Sequence, residues 1–330
     1  MYVLRRAAAL LVIAFAVLAV VAVAANAEHG KGDRHAAHSD SAKGGSGEKA
    51  QSDQLPVDAI QTALQAKGSL IDGVMNVELD RTDIGTVMLD SPAGSVPAKP
   101  AWEINGTVTF QPLGNGQAFL NGDLALKPGE LDPFIHALLA NHLVFQAEHQ
   151  HMYDFNPIVW FVHFRGTGDP VTLATEVHNA LEATSTPLPQ EPPSNPTTPL
   201  DPGKLKSILH GFNASVGSDG VVTVLVARKN PITIDGVHAS QAANIATNIA
   251  FEPLNASGSD TAVMPDFGMT AEEINPVVST MQAMGWDIGC LYNQETAEQP
   301  QLFFSHEFKH GDPYQLAREI RQALDHMNVH

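Results

Sequence analysis

The chain repeats itself. Asp123 to Leu181 can be read without gaps against Asp266 to Leu324, at a constant offset of 143, and 15 of 59 positions are identical. Unrelated stretches of ordinary composition would agree at about one position in sixteen. The clearest stretch is G-D-P-x-x-L-A-x-E-x-x-x-A-L, which starts at Gly168 and again at Gly311. Upstream, Phe110-Gln111-Pro112-Leu113 matches Phe251-Glu252-Pro253-Leu254 after a small loop insertion. Glu130 and Pro133 match Glu273 and Pro276. A duplicated chain folds as two similar units, so every element is sampled twice.

The pattern within each copy is mixed. Val57 to Ala66 and Lys204 to His210 read as short opening helices, and Val74 to Leu79 and Val221 to Val226 as strands. Thr107 to Gln111 and Gln117 to Leu126 read as strands around a Gly114-Asn115-Gly116 turn. Leu131, Phe134, Ile135, Leu138 and Leu139 have helical spacing, as do Ile274, Val277, Val278 and Met281 in the second copy. Val144 to Met152 and Ile158 to Arg165 read as a hairpin closed near Asn156-Pro157. Asp169 caps the next helix with Pro170 at its first position, and Asp312-Pro313 repeats the device. The expected class is α+β. Each copy is an antiparallel sheet with helices packed on it, in the order β-β-β-α-β-β-α, with a ferredoxin-like closing portion.

Boundaries follow from composition. Residues 1–27 read as a secretory signal: Arg5 and Arg6 precede an apolar run from Ala7 to Ala24, and Ala25-Asn26-Ala27 forms the cleavage site. Residues 28–54, rich in His, Gly and Ser, read as a disordered tail that cannot bury a core. Repeat 1 is expected over 55–183 and repeat 2 over 204–330. Between them, residues 184–203 carry seven prolines and read as an extended spacer. No segment after the signal is apolar enough to cross a bilayer. The net charge is −18. The excess acid lies beyond the tail, which argues against nucleic acid or an anionic surface as partner. The single Cys290 excludes a disulfide scaffold.

The chemical signal is Glu148-His149-Gln150-His151. Residues i and i+2 of a strand share a face, so His149 and His151 project together. If position 149 pairs with 163 on the next strand, His163 joins them; a slip of one residue sends it to the other side. Three imidazoles with an open fourth position suit a divalent transition metal, zinc first among them. Asp154 is a candidate fourth ligand or supporting partner. The second copy has Tyr292, Gln294 and His306 at the equivalent positions, so it cannot hold the same metal. Hydrogen-bonded core histidines would satisfy the same pattern. The chain has no G-x-S-x-G, H-E-x-x-H, P-loop or G-x-G-x-x-G motif. Cys290, aligned with Ala147, reads as an inert buried thiol.

These residues carry a resemblance. Thr107 to Pro112, Gly122-Asp123, the helix of Glu130 and Pro133, His149-Gln150-His151, Phe161-Val162-His163-Phe164 and the G-D-P-x-x-L-A helix resemble the LppY/LpqO family of exported proteins, a domain of unknown function. The resemblance spans about residues 55–330 in two copies, and the lipid-anchor cysteine of the family is missing. It implies a secreted, periplasmic or envelope location, and His149, His151 and His163 are the matching histidines. It implies no reaction. The expectation is a protein that binds a metal or small molecule through the repeat 1 histidines. The alternatives are a metal-dependent hydrolase or lyase with Glu148 or Asp154 as base, and a structural envelope protein without a site.

Overall fold

The computed structural model describes residues 54–330. The expected signal and all but the last residue of the expected tail lie outside the described residues. Each repeat builds a six-stranded antiparallel sheet. In repeat 1 the spatial order is Ser69–Ile71, Val74–Glu78, Thr107–Gly114, Gln117–Leu126, Trp160–Gly168, Val144–His149. In repeat 2 it is Asn213–Val216, Val222–Val226, Thr247–Pro253, Thr261–Met269, Phe303–Gly311, Asp287–Ile288. In each copy the last-formed strand inserts between two strands that a helix connects, a split β-α-β arrangement.

Alternation along the strands assigns two faces. Ala118, Leu120, Leu124 and Leu126 of one strand and Val162 and Phe164 of its neighbour pack under the helices Val57–Leu64, Leu131–Ala140 and Pro170–Leu181. Val222, Val224, Val263 and Phe267 do the same beneath Pro202–Leu209, Ala271–Ala283 and Pro313–Leu324. Helix starts follow the residues. Asp169 Oδ1 accepts from Thr172 N at 2.8 Å, with Pro170 next to it, and Asp312 Oδ1 accepts from Gln315 N at 2.8 Å.

The opposite faces of the two sheets meet each other. Ala125 and Phe161 of repeat 1 share one buried cluster with Ala250, Ala262, Met264 and Phe308 of repeat 2. Helices therefore form the outer layers and the sheets the inner two. Two hairpins that the sequence reading had not assigned close the seam. Val87–Ser91 and Gly94–Ala98 put Val87, Leu89 and Val96 into the cluster that holds Ala262 and Met264. Ile232–Ile234 and Val237–Ala239 reciprocate, with Ile232 and Ile234 clustered with Phe119. The expected tight hairpin at Asn156-Pro157 is instead a longer excursion. Its short strand Phe155–Asn156 pairs with Met88 and Leu89.

A buried arginine–glutamate pair anchors each copy. Arg81 Nη2 donates to Glu130 Oε1 and Oε2 at 3.0 and 2.8 Å, and Nη1 donates to Ala125 O. Arg228 donates to Glu273 Oε2 and Oε1 at 2.7 and 3.0 Å, and to Gly268 O at 2.8 Å. This explains why Glu130 recurs as Glu273: a buried guanidinium needs a carboxylate. The Pro-rich stretch runs along the surface but is pinned. Gln190 N donates to Gln65 O, Lys67 N donates to Gln190 O, and the Gln190 side chain bonds both backbone groups of Asp80.

Candidate functional site at the seam between the repeats

The site is assembled by strand register. His149 pairs with Phe161, and Ala147 pairs with His163. The expected pairing of 149 with 163 is therefore displaced by two residues. An even displacement preserves the face, so His149 and His163 both project into the seam. A bulge between Phe145 and Ala147 makes this possible, because Phe145 still pairs with Phe164 on the helix side. His151 lies just past the strand end and is buried on the same side. From repeat 2, His306 pairs with Asp266 and projects into the same space, as does Tyr292.

Four imidazoles and a phenol thus share one buried volume. The ligand nitrogens of His149, His151 and His306 lie within 4.8 Å of one another. The His163 ring lies 5.0 Å from that of His149. His149 stacks on Tyr292 at 3.5 Å, and these two occupy equivalent positions of the two copies. His151 is sandwiched between Phe161 at 3.4 Å and His306 at 3.7 Å. The third histidine of the tightest group therefore comes from repeat 2. The cluster faces the opposing sheet and not the helix layer.

The surroundings keep these groups neutral. Burial, with charge repulsion from neighbouring histidines, holds His149 and His151 well below the usual imidazole range. Burial alone takes His163 down to about 3, and burial with His163 beside it takes His306 to about 3. Neutral imidazole is the form that binds metals. His151 Nδ1 lies 2.8 Å from Glu103 Oε2, which leaves its Nε2 directed elsewhere. His306 Nδ1 lies 3.3 Å from Cys290 Sγ. Both ring nitrogens of His149 and both of His163 are buried without a hydrogen-bond partner. Orphaned imidazole nitrogens are costly in a finished core.

Carboxyls complete the seam. Asp266 Oδ1 lies 3.9 Å from His306 Nε2 and has no hydrogen-bond partner. Burial pushes Asp266 well up, with Asp123 adding repulsion, and burial raises Asp123 to about 7. Asp123, Asp266, Glu103, His151 and His306 all line a polar pocket of about 70 Å³. Asp154 is elsewhere: its charge neighbours are Asp287 and Asp90. Glu148 pairs with Val162, whose side chain faces the helices, and so points away from the histidines. The residues that sequence reasoning missed were visible in the duplication. Asp123 matches Asp266, and each pairs with the seam-facing histidine of its copy, His163 and His306.

Fold and site define a duplicated α+β protein whose copies join around buried histidines. Residues 58–183 and 204–326 each match the family described as Domain of Unknown Function (DUF1259), and the chain belongs to that family. No curated protein matches the chain. Among solved structures, the trimeric bacterial microcompartment shell protein PduB is 9% identical, with 79% of this chain and 89% of that chain covered and a TM-score of 0.19. EtuB from Clostridium kluyveri is 8% identical, with 78% and 90% covered and a TM-score of 0.17.

Proposed function

We propose that the protein binds a divalent transition metal, with zinc preferred, at His149, His151 and His306. One observation carries this reading: three neutral imidazoles converge within 4.8 Å, and both nitrogens of His149 at their centre have no hydrogen-bond partner. Three nitrogens at that spacing suit a tetrahedral ion with one position left for a ligand. Glu103 would orient His151 from its far nitrogen, the carboxylate–histidine arrangement that fixes a ligand's tautomer. Burial favours a neutral Glu103, whereas a dication on His151 favours its ionised form, so metal uptake releases protons. His163 lies against His149 as an alternative third nitrogen. In this reading repeat 1 supplies two ligands and repeat 2 the third, so the duplication builds one shared site. We read the protein as exported, on the strength of residues 1–27.

The test is metal content. The chain with His29, His35 and His38 replaced by alanine removes scavenging by the tail. That protein is expected to retain about one equivalent of zinc after dialysis. His306→Ala is expected to lose it, and His163→Ala to keep it. Retention by His306→Ala would refute the shared site, and no metal in the parent would refute the proposal.

A further inference from the structure

The polar pocket at the histidines is the inner end of a larger space. A cleft of about 320 Å³ opens between the edge strands of the two repeats, and residues 190–193 of the Pro-rich segment form part of its wall. Glu78, Thr107, Thr223, Asn244 and Asn248 line both spaces, so the two are continuous. Asn76 of repeat 1 and Thr223 of repeat 2 come from equivalent strands, Val74–Glu78 and Val222–Val226.

The charged groups of the lining are mostly acidic. Glu78, Asp80 and Glu191 supply carboxylates. Lys67 is the one cationic side chain in the lining, and its Nζ is taken by Glu191 Oε1 at 2.6 Å. Asp80 Oδ1 and Asn248 Oδ1 are buried acceptors with no hydrogen-bond partner. Ile71, Val216, Leu225 and Ala246 add aliphatic surface between uncharged polar side chains such as Ser69, Asn76, Ser215 and Gln241, and among the described residues no aromatic ring lines the cleft. An anion would meet repulsion here. A sugar would find no ring to stack on. A ligand that carries donors and positive charge on an aliphatic chain satisfies the orphaned acceptors, offsets the carboxylates and covers the apolar wall.

We propose that this cleft binds a small aliphatic amine, with an ammonium group donating to Asp80 and Asn248. The site stands beside the metal site and does not depend on it. Gln190 is a positioning residue: it accepts from Asp80 N at 2.9 Å and donates to Asp80 O at 3.1 Å, which fixes the acidic strand end against the Pro-rich wall. The acid pair supports the reading. Glu78 and Asp80 lie two residues apart and repel each other, and a bound ammonium would offset that repulsion.

The experiment is calorimetric titration of the full chain with putrescine, in EDTA-treated and zinc-loaded forms. Trehalose serves as the neutral control and glutarate as the anionic one. Putrescine is expected to bind both forms. Asp80→Asn, which preserves shape, is expected to weaken binding at least tenfold while shifting the unfolding temperature by only a few degrees. Glu78→Gln tests the same charge from the neighbouring position, should Asp80→Asn fold poorly. Absence of putrescine binding to either form would overturn the proposal. So would unchanged affinity in the folded variants, or tighter binding of trehalose or glutarate. The metal reading is judged separately, by zinc content.

Discussion

Removing Glu273 should cost more than removing Glu130, although the two hold equivalent places. Both carboxylates neutralise a buried arginine, and both also accept backbone N–H bonds: Thr270 N and Asn328 N for Glu273, Lys127 N and Ser185 N for Glu130. The difference lies in what remains after substitution. Arg81 keeps a second carboxylate, because Asp83 accepts from Nε at 2.9 Å and from Nη2 at 3.0 Å. Against its own partial burial, Arg81 and Lys127 hold Asp83 at about 2, so it stays ionised. Arg228 keeps nothing comparable. The residue two positions on is Asn230, and Arg228 Nε is buried without a partner. Stripping one member from a buried ion pair costs about 3–5 kcal/mol. Glu273→Leu should incur about 4 kcal/mol, whereas the surviving charge-assisted bonds of Asp83 should limit Glu130→Leu to about 2 kcal/mol. Urea unfolding, followed by circular dichroism and tryptophan fluorescence, measures the difference through the midpoints at constant slope. Asn230→Asp in the Glu273→Leu background should recover at least half of it. Equal losses within about 0.5 kcal/mol, or no recovery, would refute the reasoning.

Two further outcomes follow from buried groups. Burial raises Glu295 to about 7, against the hydrogen bond from Asn121, so the folded state holds a proton there that the unfolded state has released above about 4.5. Its contribution to stability is complete below about 4.5 and is lost as pH rises through about 7. Glu295→Gln should therefore be more stable than the parent at pH 8, by at most about 3 kcal/mol, and nearly equal to it at pH 4.5. The same difference at both pH values in urea titrations would disprove this. Burial also pushes the Cys290 thiol well up, beside His306. Iodoacetamide at pH 8 should alkylate it at least tenfold more slowly in the folded chain than in urea, and comparable rates would contradict the assignment.

Local chemistry could be read directly from the chain. Asp169-Pro170 and Asp312-Pro313 start helices because a carboxylate beside a proline satisfies a helix N-terminus wherever it occurs. The alternation that puts His149 on a face opposite Glu148 needs no partner to be read. The Val87–Ser91 and Gly94–Ala98 hairpin is not legible in the sequence because its apolar residues are buried in a cluster built from both repeats. Its Pro97 and Gly94 are also poor strand formers. Arg81 and Arg228 gave no sign of pairing with Glu130 and Glu273, since each pair is more than forty residues apart in sequence.

The duplication and the faces of the strands were properties of the sequence alone, because side-chain periodicity and self-similarity are local. An alignment of the copies lays His163 over His306 and Asp123 over Asp266, yet leaves the His149 and His151 pair in repeat 1 alone. Which faces meet is a different question. It is decided by the burial of two whole sheets against each other and by hairpins that each repeat contributes to the other's surface. That packing turned positions that correspond into positions that touch: His149 lies on Tyr292, and His306 joins His149 and His151. The sequence determined what each strand presents. Only the tertiary structure decided that both copies present it to one another.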